Sequence, residues 1–108
     1  MLILKENGKI RLISKSKLLE LTKNFETPFF LLDSSILEKK ILEFEELFSS
    51  SKYNYKLYYS VKTNYSPYIL NFLNNMNVGL EVISGFEVDI LHELGLLSSE
   101  VIINGPSK

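Results

Sequence analysis

The chain of 108 residues carries 12 Lys+Arg against 13 Asp+Glu, one histidine, no cysteine and 45% hydrophobic residues. A formal charge of -1 supplies no basic field for nucleic acid or an anionic membrane. Without cysteine there is no disulfide framework, thiolate zinc site or thiol nucleophile, and a single histidine makes a protein-built metal site unexpected. The opening Met-Leu-Ile-Leu-Lys-Glu-Asn-Gly is broken by charge and a turn dipeptide, so neither a secretory signal nor a membrane span fits it, and the cytoplasm is the expected compartment. The length allows one domain with a modest core, but not a complete (β/α)8 barrel, which needs about 250 residues.

In chain order, Leu2-Ile3-Leu4 and Ile10, Leu12, Ile13 flank Asn7-Gly8, the signal of a two-stranded hairpin. Leu18, Leu19 and Leu21 among charges predict a short helix from Ser16 to Asn24, ending before Glu26-Thr27-Pro28. From there, short apolar runs alternate with longer stretches at helical period, the pattern of βαβ units and a parallel sheet. Four strands are expected: Phe29 to Leu32, Lys56 to Val61, Gly79 to Ile83, and Val101 to Asn104. The first connecting helix, of about fifteen residues, opens on the capping box Ser35-x-x-Glu38 and aligns Leu37, Ile41, Phe44 and Phe48. The second has Ser66 as N-cap and Pro67 at its first position, and is expected to bury Ile69, Phe72, Leu73 and Met76, with Asn77 and Gly79 turning the chain back. The third runs from Ser84 to about Leu94 with Val88 and Leu91 inward, and Gly95 suits its left-handed cap. This divides the chain into a lead-in hairpin and helix, residues 1–26, and an α/β portion, residues 27–108.

Right-handed crossovers bring the carboxyl ends of all four strands to one edge, where such sheets collect their chemistry. Asp33, Lys62-Thr63-Asn64, Ser84, Glu87 and Asn104-Gly105-Pro106 stand there. Strand alternation groups Tyr58, Ser60 and Lys62 on one face. A lysine at the rim of an apolar interior loses hydration, which favours the neutral amine that forms imines, whereas a lysine that merely ends a strand extends to water. Glu87, three residues after Ser84, is by spacing alone an ordinary capping box. Glu81 lies in an apolar strand, so its carboxylate either faces an interior or is paired at a rim. His92, late in the third helix, is expected at the surface near the helix C-terminus.

Thr27-Pro28-Phe29-Phe30-Leu31-Leu32-Asp33, Tyr59-Ser60-Val61-Lys62-Thr63-Asn64 and Gly79-Leu80-Glu81-Val82-Ile83-Ser84-Gly85-Phe86-Glu87 stand in one order at particular spacings. This order resembles the start of the fold-type III pyridoxal-phosphate enzymes, in the branch of ornithine, arginine and diaminopimelate decarboxylases. Asn104-Gly105-Pro106-Ser107-Lys108 is similar to the element that closes that family's next strand. Alanine racemases and the single-domain pyridoxal-phosphate homeostasis proteins share the barrel and lysine, but differ after the lysine. Ser60 departs from the family's usual alanine, and Phe86 from its usual small or polar residue.

The resemblance implies an α/β fold, the N-terminal portion of a (β/α)8 TIM-like barrel of about four parallel strands with crossover helices, preceded by the hairpin. It implies pyridoxal 5'-phosphate as cofactor, Lys62 as the residue joined to it by an imine, and Glu81 and Glu87 as further cofactor-binding residues. The implied activity is decarboxylation of an amino acid of the diaminopimelate or ornithine type, by a homodimeric parent of which this chain is the lysine-bearing fragment. The phosphate-binding glycines and C-terminal β-domain would follow Lys108, so the chain alone is expected to be inactive. The competing expectation is a non-catalytic α/β interaction module, or a non-functional remnant, in which the three residues are structural.

Overall fold

The computed structural model describes residues 3–6, 9–12, 14–98 and 100–106, so the Asn7-Gly8 turn and the terminal Ser107-Lys108 lie outside the described residues. Two compact units divide between Asp33 and Ser34, later in the chain than the sequence suggests. In the first, β1 (Ile3–Glu6) and β2 (Lys9–Leu12) pair antiparallel with Glu6 opposite Lys9. Helix α1 (Lys15–Asn24) follows, its free amides met at Ser14, whose hydroxyl accepts from the Lys17 amide at 3.2 Å. The expected strand from Phe29 to Leu32 does not form. Its apolar run has no ladder partner among the described residues, and Phe30 stays fully exposed, so hydrophobicity without a hydrogen-bonding neighbour leaves it irregular.

The second unit contains α2 (Ser34–Ser49), β3 (Tyr58–Ser60), a single 3-10 turn (Val61–Thr63), α3 (Pro67–Asn75), β4 (Gly79–Val82), α4 (Gly85–Glu93) and β5 (Val101–Ile103). Three of the four expected parallel strands are present, in the order β3-β4-β5, with Ser60 opposite Glu81 and Glu81 opposite Ile102. Helix α2 starts at Ser34, so Ser35 sits within its first turn instead of before it.

Alternation sorts the strand residues onto two faces. Leu80 and Val82 are buried with Val61, Leu70 and Leu91, joined by Tyr59, Val88 and Val101, so α3 and α4 cover this side. A second cluster of Ile41, Ile69, Leu73 and Val78 joins α2 to α3. Helix α3 is thus wedged between two clusters, which is why Leu70 is fully buried while Phe72 and Met76 are only partly so. The opposite side carries Tyr58, Ser60, Gly79, Glu81 and Ile102. There the Tyr58 ring lies over Gly79, and a Cβ at residue 79 would collide with it.

Two helices end in the same six-residue closure. After α4, Gly95 takes a φ of 69°, its amide bonds to His92 O and the Leu96 amide bonds to Leu91 O. After α3, Asn77 does this with a φ of 59°, its amide bonded to Asn74 O and that of Val78 to Leu73 O. Gly79, by contrast, belongs to β4 and makes no turn.

Candidate active-site edge

The parallel strands deliver the Lys62 turn, the start of α4 and Asn104 to one edge. Lys62 does not continue the strand as alternation suggests. The ladder ends at Ser60, the chain tightens into the 3-10 turn, Val61 is driven into the core at 0% exposure, and Lys62 is turned to solvent. Its amine has no hydrogen-bond or ion-pair partner among the described residues. Of the two placements the sequence allows, the described residues show the lysine that ends a strand and extends to water.

The turn is tied at its far end. Tyr59, projecting to the helix side, sends its hydroxyl to Asn64 O at 3.0 Å, and Asn64 Oδ1 accepts from the Ser66 amide at 3.0 Å. Burial raises the Tyr59 phenol above its ordinary value of 10.0. The unfolded phenol then ionises before the folded one, so Tyr59's contribution is fully present below pH 10 and declines as the pH rises through the higher folded value. Urea midpoints between pH 8 and 11 should fall on the alkaline side. Tyr59→Phe should weaken that fall and cost about 1 kcal/mol at neutral pH from the lost hydrogen bond.

Glu81, half-buried on the sheet face opposite the α3 and α4 core, accepts from Asn104 Nδ2 at 3.3 Å. Asn104 is fixed in turn, its amide on Val82 O at 2.9 Å and its Oδ1 on the Gly105 amide at 3.0 Å. Glu87 is the buried acid, 5% exposed. Its Oε2 accepts from Ser84 Oγ at 2.7 Å and from the Ile83 amide at 3.3 Å, while Ser84 Oγ accepts from the Glu87 amide at 3.3 Å. Ser84 caps the Glu87 amide as the spacing suggests, but Glu87 returns to the Ser84 hydroxyl and the preceding Ile83 amide instead of the Ser84 amide, and its Oε1 is left buried without a partner. Lys62, Glu81 and Glu87 therefore stand on one edge, yet none is bonded to another. His92 is exposed, as expected. A contact that periodicity does not reveal lies beside them: the rings of Tyr65 and Phe86 meet at 5.7 Å and 90°.

Among the described residues no group of acids and histidine could hold a metal ion, and no helix is long and apolar enough to cross a membrane. For pyridoxal phosphate the donor set fits at the aldehyde end. A solvent-accessible primary amine stands at the carboxyl edge, next to a sheet face that carries the polar, half-buried Ser60 and Glu81.

Residues 34–108 match the model of the pyridoxal-dependent decarboxylases, pyridoxal binding domain. The chain is 28% identical over 96 residues to the L-glutamyl-[BtrI acyl-carrier protein] decarboxylase of Niallia circulans, covering 89% of this chain and 22% of that protein. It is 27% identical over 89 residues to the diaminopimelate decarboxylase of Campylobacter jejuni, covering 82% and 22% of the two chains. The crystal structure of the lysine decarboxylase from Selenomonas ruminantium superposes with a TM-score of 0.74 at 27% identity, over 93% of this chain and 25% of that one. The chain thus spans roughly a fifth to a quarter of the length of these relatives. A partial (β/α)8 barrel accounts for its parallel strands and one-sided helices, and the chain belongs to the pyridoxal-dependent decarboxylases, with pyridoxal phosphate as its cofactor.

Proposed function

We propose that this chain is the lysine-bearing portion of a pyridoxal-phosphate-dependent amino-acid decarboxylase of the diaminopimelate or ornithine type, and that Lys62 is the residue that holds the cofactor. The observation that carries the reading is Lys62 itself, an exposed amine on a tight turn at the carboxyl end of β3, within the residues matched to the pyridoxal-binding domain. When bound, pyridoxal phosphate supplies the electron sink for the pair released as a carboxylate leaves the substrate. The protein's own share is positioning and charge. Lys62 would offer the nucleophilic nitrogen that holds the cofactor and an amine that can carry a proton. Glu81, aimed by Asn104, sets a carboxylate on the sheet face opposite the α3 and α4 core, where it would favour the protonated form of a nitrogen brought close to it. Glu87 fixes the start of α4 and keeps one acceptor oxygen in reserve. The whole enzyme acts, in this reading, as a cytoplasmic homodimer, and this chain by itself is not a competent decarboxylase.

Incubation with pyridoxal 5'-phosphate, reduction with borohydride and peptide mapping tests the assignment. Label is expected to concentrate on Lys62, and Lys62→Ala should lose the imine absorbance. Modification spread evenly over the lysines would remove Lys62 from the role.

A further inference from the structure

We propose that Phe86 is a positioning residue, whose perpendicular contact with Tyr65 fixes the turn that presents Lys62. This rests on the reading of Lys62 as the cofactor lysine. The turn is secured at its start by Val61 in the core and at its end by the Tyr59 hydroxyl on Asn64 O and the Ser66 amide on Asn64 Oδ1. Those ties act along the chain. Lys62 and Thr63, between them, are exposed. Sideways restraint comes from Tyr65, whose ring reaches across to Phe86 in the first turn of α4. That first turn is itself firmly held, because Ser84 and Glu87 close it on each other.

Ordinary core packing does not account for the contact. Tyr65 is 50% exposed and Phe86 62% exposed, and neither ring belongs to the core clusters of the described residues. A perpendicular aromatic pair has a geometric preference that aliphatic contact lacks, because the positive ring edge meets the negative ring face. Joining an exposed turn to a capped helix start therefore sets the turn's direction, and a nucleophile misplaced by an ångström reacts much more slowly. Phe86 touches no reacting atom in this account, and it acts through Tyr65 on Lys62.

The test is amide hydrogen exchange across residues 62–66 in the protein and in Phe86→Ala, Tyr65→Ala, the double variant and Phe86→Tyr. An edge-to-face pair shifts a local opening equilibrium by roughly two- to tenfold. Each alanine variant should therefore speed exchange in the turn by that factor, the double variant should be no faster than either single one, and Phe86→Tyr should stay near the parent. Labelling of Lys62 by pyridoxal 5'-phosphate and borohydride should slow by a similar factor relative to the other lysines. Unchanged exchange in Phe86→Ala, or simply multiplying effects in the double variant, overturns the proposal. If Phe86→Ala fails to fold, Phe86→Leu against Phe86→Tyr decides, since only the tyrosine preserves the aromatic contact. If the parent shows no preference for Lys62 in labelling, the cofactor reading fails while the exchange result still judges the contact.

Discussion

Leu70→Ala is expected to destabilise the second unit by about 2–5 kcal/mol, the range for removing a fully buried leucine from a packed site. Leu70 is 0% exposed and touches the cluster that joins α3 to β4 and α4, so the void has partners on several elements and cannot close by moving one. A unit with this few buried residues has little reserve against a loss that approaches the total stability of a small domain. Urea denaturation followed by circular dichroism should show the midpoint lowered by roughly 1–3 M. Leu47→Ala, on the exposed face of α2, should change it little. Equal midpoints for Leu70→Ala and the parent would mean that α3 is not seated as described.

Glu87→Ala is expected to cost about 2–3 kcal/mol, although the side chain belongs to a polar motif that is often merely superficial. Burial makes the difference. With the carboxylate gone, the Ile83 amide and the Ser84 hydroxyl lose their acceptor inside the fold, and hydrogen bonds to a charged group are worth about 1.5–3 kcal/mol. Glu87→Gln keeps one acceptor oxygen for these donors and should lose about half as much. Thermal or urea unfolding of the two variants separates the contributions. An alanine variant as stable as the parent would show that the cap does not hold α4.

The fold was legible where one residue type has one physical use. Pro67 begins a helix, Ser84 and Glu87 cap one, and Gly95 ends one, because few alternatives dispense with an amide, satisfy one or allow a positive φ, whereas Ser66 takes its expected N-cap place without a side-chain hydrogen bond. Strand count was not legible, since Phe29 to Leu32 have the apolar character of a strand but pairing depends on a neighbour that no local pattern encodes. Of the stripe Ile69, Phe72, Leu73 and Met76 expected on α3, Ile69 and Leu73 are buried, and packing into two clusters buries Leu70 with them in place of Phe72 and Met76.

The same distinction runs through the candidate site. Lys62, Glu81 and Glu87 could be named from their order in the chain, because the resemblance to a known family is a statement about order. For Lys62 the sequence left a dehydrated rim and an exposed strand end both open, and alternation could not choose between them, since it holds only as far as the ladder, which stops at Ser60. The Tyr65 and Phe86 contact joins residues far apart in sequence with no shared period, so no windowed pattern contains it.

The ladder of β3, β4 and β5 also bears on how the chain assembles. The same interval of sequence separates Ser60 from Glu81 as separates Glu81 from Ile102, and β4 lies between the other two. Each new strand thus meets its template after one helix and two loops, with a closure entropy that is the same at every step. A chain emerging from the ribosome can therefore add one βα module at a time to the one before it, without waiting for distant sequence.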